Sequence, residues 1–372
     1  MTSLWLDEPA ERWPPLEGDV GVDVAIVGAG IAGLALACAL ARDGARPVVV
    51  EARTVAEGAS GRNAGFVLAG VAENFVAACR RYGSARAERV WRFTTTNRVI
   101  LRTLAERHRI DCDLRWNGSS QVAGSGAEWD EIRESARRLS RRGLRVRLDP
   151  DARSAIYEED GELHPARFVR GLARAAAGLG ATVHEATRAT RVRRDGVTTD
   201  RGTIRAGAVV LCTNAYTAHL AASSRIVPIR GQVLATTPLG RRLFERPAYG
   251  NRSYRYWRQT VDGRILVGGW RDLALDEETG EDEVTTPVIQ SALDAFLREH
   301  AIEAPVTHRW GGIMGFSHDG LPYLGRRSDG LFVSGGFTGH GIGFACAAGE
   351  LVASLVRGGN HPDADLFDPD RP

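Results

Sequence analysis

The chain has 372 residues, 43% apolar and 25% charged, with 48 basic against 46 acidic side chains and a formal charge of +2. That length exceeds one ordinary hydrophobic core and predicts two lobes, while the near-balance of charge argues against a broad basic face for nucleic acid. Every basic residue is an arginine, so no step can use a lysine as base, Schiff-base former or oxygen activator.

Residues 1–20 read as an irregular, proline-containing lead-in without the basic and apolar regions of a secretory leader. Val22–Val27 has the pattern of a short buried strand, Ile31–Asp43 of an Ala/Leu-rich helix and Pro47–Glu51 of a second strand, together one βαβ unit. Residues 24–41 carry no charge and are long enough to suggest a membrane span. The GAGIAG turn inside them makes a strand–turn–helix the better reading, and no membrane partner is expected. Helical spacing recurs over Arg80–Arg109 and Glu128–Arg142, whose arginines are expected on a solvated face. A helix over Ala166–Leu179 and a strand over Ala181–His184 follow. Val192–Asp200 and Gly202–Ala206 suggest a hairpin, and Ala208–Thr213 a separate buried strand.

Strand character returns over Val227–Thr236 and Ser253–Trp270, where Asp262-Gly263 makes a hairpin turn. Thr286–His300 reads as a helix, Leu331–Ser334 as a last strand and Ala345–Val356 as a last helix, with only the final dozen residues expected to be loosely held. The five cysteines, Cys38, Cys79, Cys112, Cys212 and Cys346, are scattered without a CxxC pair. Neither a disulfide framework nor a metal site is therefore expected, and a cytoplasmic location fits best.

Gly28, Gly30 and Gly33 form GxGxxG between a strand and a helix, with Ile31 and Ala32 inside the turn. The first glycine permits the tight turn, the second lets backbone approach a pyrophosphate, and the third lets helix and strand pack closely. The helix start then offers amide donors and partial positive charge. Glu51, followed by Ala52 and Arg53, ends the next strand about 18 residues after Gly33, where an acid can accept ribose hydroxyls. This constellation predicts a dinucleotide site but does not choose between FAD and NAD.

The segment Glu51–Phe66, EARTVAEGASGRNAGF, resembles the loop of the D-amino-acid-oxidase-type FAD-dependent oxidoreductases, the glycine and sarcosine oxidase-like superfamily. Its GASGRN core is most similar to the gamma-glutamylputrescine oxidoreductase branch. The likeness runs nearly end to end, through His164-Pro165, Glu185–Ala189, Val209–Ala215, Pro228–Gln232, GIMGFSHDGLPYLG and SGGFTGHGIGF.

It implies an α/β fold with a split Rossmann-like FAD-binding lobe of the glutathione-reductase type, at 1–78, 147–220 and 305–372. An inserted α+β substrate lobe with a mixed sheet takes 79–146 and 221–304. It also implies that Ser60, Gly61, Arg62, Asn63, Ala64, Gly65 and Phe66 lie along the flavin, with Ser60, Arg62 and Asn63 as donors. Ala189 meets the adenine, and Cys212, Thr213 and Asn214 close over the dinucleotide. Gly312 and the run Gly336, Phe337, Thr338, Gly339, His340, Gly341, Ile342 and Gly343 hold the isoalloxazine ring.

Three departures bear on the chemistry. The cysteine that tethers FAD in sarcosine oxidases corresponds to Gly312, so the resemblance implies FAD that is not covalently bound. The arginine that grips the substrate carboxylate in glycine and D-amino-acid oxidases corresponds to Met314, and a lysine of sarcosine oxidases to Gly343. Their loss favours amines, including amines with a distant polar tail, over α-amino acids. The implied reaction is hydride transfer from the carbon next to nitrogen to flavin N5, followed by imine release and hydrolysis. O2 or another acceptor reoxidises the flavin, with Arg62 or His340 as the substitute cation.

The residues expected at the reacting centre are His340, Tyr256, Arg62, Arg230 and Met314. His318 is expected to face water, and His164 to cap a turn. Tyr254 and Tyr256 share one strand face and Arg255 and Trp257 the other, but parity does not say which face is the cavity. Two enzymatic alternatives remain, a D- or N-methyl-amino-acid oxidase holding a carboxylate with Arg255, Arg258 or Arg309, and an NAD-dependent dehydrogenase. A third alternative is a flavin-binding subunit that turns over only with a partner.

Overall fold

The computed structural model describes residues 2–371. Its α/β architecture is organised around two eight-stranded mixed sheets. In the first, Val20–Val27 lies between parallel neighbours Thr203–Leu211 and Pro47–Val50, and Thr182–His184 extends the latter edge. Phe332–Gly335 and Tyr323–Arg326 extend the other edge. Parallel strands are covered on both faces, which is why Val24 and Ile26 enter one apolar cluster while Ala25 and Val27 enter another. The helices Ile31–Arg42 and Gly341–Val356 pack together over this sheet. They approach so closely that a Cβ on Gly349 would lie 2.8 Å from the Leu36 nitrogen.

The second sheet is built on the long pair Val227–Pro238 and Val306–Phe316, antiparallel from Val227 opposite Phe316 to Thr236 opposite Val306. Arg264–Gly269, Arg255–Gln259 and Ala248–Gly250 continue it, followed by Ser119–Val122, Ser154–Tyr157 and Val146–Asp149. The helix Pro287–Glu299 covers one face, packing Ile289, Leu293 and Phe296 on Leu234, Ile265 and Val267. The opposite face looks into a cavity. The strands at 146–149, 154–157 and 306–316 bond into this second sheet, so sheet membership does not follow the expected limits at 147 and 305.

Several expected elements differ. The helix expected over 80–109 is two, Phe75–Tyr82 and Ser84–Arg107, divided at Gly83, whose φ is +81°. Within them Arg98 is not solvated, because it is buried in an ion pair with Asp160 at 2.6 Å. Val192–Asp200 is interrupted by a turn, giving strands Ala189–Arg193 and Gly196–Thr199. Thr203–Leu211 runs unbroken where two strands were expected, because seven of its residues pair with Val20–Val27. The last helix starts at Gly341, four residues earlier than its apolar pattern suggested. The final dozen residues are not loose: Phe367 is fully buried, 4.7 Å from Phe93 ring to ring, and Arg371 pairs with Asp319 at 2.8 Å.

Among the described residues no helix is long and apolar enough to cross a membrane, and no group of three or more His, Cys, Asp or Glu could hold a metal ion.

Candidate active site

One cavity of about 930 Å³ runs from the glycine turn to the open face of the second sheet. At its first end Gly28 has φ +111°, and a Cβ there would lie 2.7 Å from the Cys212 carbonyl oxygen. A Cβ on Gly30 would meet the Ser60 hydroxyl at 2.8 Å, and one on Gly33 would sit 2.0 Å from the Gly28 carbonyl. Gly33 therefore packs helix against turn and does not line the cavity. The helix that begins at Ile31 has no side-chain cap from Gly30, and its start, at Ile31 and Ala32, lines the cavity. The Ile31 N–H donates to Ser60 Oγ at 3.0 Å. Glu51 lines the same end and accepts the N–H groups of Ala29 and Arg53 at 3.0 and 2.9 Å. Burial pushes its carboxyl above the ordinary value, and those two N–H groups pull it back.

The loop over 59–66 lies along the cavity, but two of its expected donors are engaged within the protein. Asn63 donates its amide to the carbonyls of Ala59 and Ser60 and accepts the Gly65 N–H at 2.7 Å, so it staples the loop. Arg62 donates to the Glu57 and Gly311 carbonyls and pairs with Glu283 at 3.0 Å. Gly61 is buried beneath the loop against Ala56 and Leu6, off the cavity wall. Ser3 Oγ donates to the Gly61 carbonyl, Trp5 Nε1 to that of Asn63 and Trp310 Nε1 to that of Arg62. This support was not legible in the sequence, where 1–20 carried no pattern beyond a few apolar residues.

Ala52, Arg53, Ala64, Gly65, Phe66, Ala189, Cys212, Thr213 and Asn214 all line the cavity. Asn214, at φ +45°, accepts the Gly336 N–H at 2.9 Å. Gly336 itself is off the wall, turned against Tyr323 and Ile226. Phe337 to Gly343 are on the wall, where a second helix without a side-chain cap begins at Gly341 with His340 as its N-cap. Burial holds the His340 imidazole below its ordinary value, opposed by the Thr338 carbonyl, so the ring is neutral near pH 7. A Cβ on Gly312 would meet the Arg62 Cβ at 2.8 Å.

The far end is walled by the second sheet. Tyr254 and Tyr256 face the cavity, whereas Trp257 packs on Phe296 beneath it, 5.2 Å ring to ring. The Tyr256 ring lies over Gly268, where a Cβ would come within 2.3 Å of it, and meets Phe66 edge-on at 6.1 Å. Burial raises the Tyr256 phenol well above its usual value, so it is a neutral donor. Met314 is half-buried on the wall beside Gly231 and Gly339.

Arg230 is not on the wall. It is 5% exposed, pairs with the buried Glu278 at 2.9 Å and donates to the Glu277 and Asp282 carbonyls. The sheet pleat turns it away from the face that carries Gly231. Arg255 pairs with Asp272, Arg258 with Glu162 and Arg309 with Asp294, and none of the three lines the cavity. Arg258 instead donates to the Ala64, Gly65 and Leu163 carbonyls, bracing the loop from behind. His318 is exposed, and His164 caps the helix at Pro165 by accepting the Arg167 N–H. The wall also holds Tyr249, Arg252, Arg271, Phe316, Tyr216 and Glu283, none singled out from the sequence. No local motif marks them, because long-range strand pairing assembles them.

A turn lacking Cβ atoms, uncapped helix starts at both ends of one long cavity and an acid at a strand end fit FAD. Comparisons with known proteins agree. Gamma-glutamylputrescine oxidoreductase of Escherichia coli strain K12 is 27% identical over 99% of this chain and 91% of its own. Glycine oxidase of Geobacillus kaustophilus is 28% identical over 90% of this chain and 92% of its own. The solved structure of that glycine oxidase superposes with a TM-score of 0.81 at 25% identity, covering 95% of this chain and 99% of the other. The family model described as FAD dependent oxidoreductase, DAO, matches residues 23–355. This chain belongs to that family and is an FAD-dependent oxidoreductase.

Proposed function

We propose that this enzyme oxidises a primary or secondary amine to an imine, which water then converts to a carbonyl compound. The observation that carries the reading is the make-up of the far end of the cavity. It holds tyrosines, Met314, neutral His340 and two arginines, and no carboxylate. A neutral amine needs no side-chain base to lose hydride from the carbon next to nitrogen. The nitrogen lone pair forms the C=N bond, and the remaining proton passes to water.

FAD, when bound, supplies the two-electron acceptor for that hydride. In this reading Gly28, Gly30, Ile31 and Ala32 hold the pyrophosphate, Glu51 the ribose, and the 59–66 loop with Gly312 and 337–343 the ring. Partial positive charge at the Gly341 helix start would favour the negative charge that a flavin acquires on reduction. Tyr256 and Met314 position the amine, and Phe66 and Tyr256 exclude water from one side. The segments 79–146 and 221–304 supply most of the substrate lobe, whose sheet is completed by the strands at 146–149, 154–157 and 306–316, and the rest is the FAD lobe.

Attachment of FAD is non-covalent. Cys212 is the one cysteine on the wall among the described residues, and burial pushes its thiol up to about 12. The electron acceptor is O2 or a small oxidant, with His340 rather than the engaged Arg62 facing it. All five cysteines are free thiols, which suits the cytoplasm.

The test is anaerobic addition of amines and of glycine, sarcosine and D-alanine to the FAD-loaded protein, followed by flavin absorbance. Bleaching by an amine and not by the three amino acids supports the reading. Bleaching by the amino acids alone overturns it.

A further inference from the structure

We propose that Arg271 is a carboxylate anchor and that the amine oxidised here carries a carboxylate remote from its reacting nitrogen. The inference rests on the amine-oxidising reading above but is tested separately from it. The guanidinium of Arg271 lies against two rings on the cavity wall, 4.4 Å from the Tyr254 centroid and 4.8 Å from that of Phe316. Both contacts hold the group through its π-face attraction and use none of its N–H donors in a hydrogen bond. Among the described residues no ion pair or side-chain hydrogen bond reaches it. The adjacent Asp272 is taken by Asn251 and Arg255.

The backbone holds this side chain in place at some expense. Gly269 has φ +110° and Trp270 φ +60°, a left-handed turn that a bulky residue rarely adopts. The Trp270 N–H is bound to the Tyr254 carbonyl at 2.6 Å, so the turn and the first of the two rings move as one piece.

The carboxylates of the wall gather at one end of the cavity. Glu51, Glu57, Glu281 and Glu283 lie at the nucleotide end, with Glu283 held by Arg53 and Arg62 and Glu281 by His219. The far end carries Arg252 and Arg271 without an acid on the wall. A plain ammonium compound meets only positive charge there, whereas an amine that also bears a carboxylate is drawn in. A planar carboxylate matches the guanidinium fork with two parallel hydrogen bonds.

Spacing indicates the tail length. Gly312, Met314 and Phe316 share one face of their strand, and Gly312 abuts Arg62 of the 59–66 loop. Phe316, which stacks on Arg271, lies about 7 Å beyond Met314 along the strand. A straight spacer of about four carbons covers that distance. Five-carbon probes follow from it.

The experiment uses the FAD-loaded protein and its variants Arg271→Met and Arg271→Lys. Calorimetric titration with pentanoate measures the anchor without turnover. The dissociation constant is expected to rise about 10- to 100-fold in Arg271→Met and far less in Arg271→Lys. Steady-state oxidation of 5-aminopentanoate against pentylamine is expected to lose its preference for the acid in Arg271→Met through KM, with kcat for pentylamine kept within about 3-fold. Should Arg271→Met fail to retain FAD, Arg271→Gln carries the same comparison. Equal or absent pentanoate binding in wild type and variant overturns the anchor. Pentanoate binding that needs Arg271 in a protein that oxidises no amine keeps the anchor and removes the amine reading. Oxidation of both amines alike, unchanged by the substitution, does the reverse.

Discussion

The two ends of the cavity solve opposite problems. At the nucleotide end the carboxylates are already matched: Glu51 by two N–H groups, Glu283 by Arg53 and Arg62. At the substrate end side chains form the wall, and Arg271 rests against two rings with no acid paired to it. A site for a cofactor common to a whole family can be completed from within the protein. A site for one particular substrate leaves a polar group for that substrate to satisfy, and the unmatched group is where specificity is to be sought.

The largest effect is expected where the nucleotide end has no slack. Gly33→Ala places a methyl 2.0 Å from the Gly28 carbonyl, worse than the overpacking that ordinarily costs about 1–3 kcal/mol. Loss of bound FAD and of thermal stability is the expected outcome. A variant that keeps both would show that the turn is not rigid. Next comes Arg230→Met, which strands the buried Glu278 and should lower stability by about 3–5 kcal/mol. Whatever enzyme survives should keep its amine KM. A raised KM at unchanged melting temperature would return Arg230 to the cavity wall.

Glu51→Gln keeps the shape but weakens the charged acceptor of the Ala29 and Arg53 N–H groups, so FAD affinity should fall about 10-fold. Fluorescence titration of the apoprotein measures it, and no change would make Glu51 a bystander. The smallest effect concerns pH. Because burial lowers the His340 imidazole, the unfolded chain takes up its proton first as pH falls. The contribution of His340 is therefore full above the unfolded value near 6.5 and declines below it, toward the lower folded value. His340→Asn should flatten the melting temperature between pH 6.5 and 5, and an unchanged slope would mean other groups set it.

The same contrast explains which parts of the site are legible in the amino-acid sequence. GAGIAG, Glu51 and the 59–66 loop are local: a turn, a strand end and a short loop, each with its reason for being written in adjacent residues. Met314 and Tyr256 are reachable because each sits beside a recognisable stretch. Arg230 misleads because strand parity separates two faces without telling which is inside, and Gly231, one residue on, has the cavity. Arg271 carries no signal at all, since a left-handed Trp270 and the pairing of three distant strands decide where it points. The tail at 361–371 reads as polar and loose, yet Phe367 and Arg371 are fixed by partners far away in sequence, Phe93 and Asp319.

The most direct test of one FAD held non-covalently along this cavity is the absorption spectrum of the purified protein before and after acid precipitation. A flavin spectrum at about one FAD per chain, recovered in the supernatant, is the predicted result. A colourless protein that takes up no FAD, or a flavin that stays with the precipitate, would contradict it.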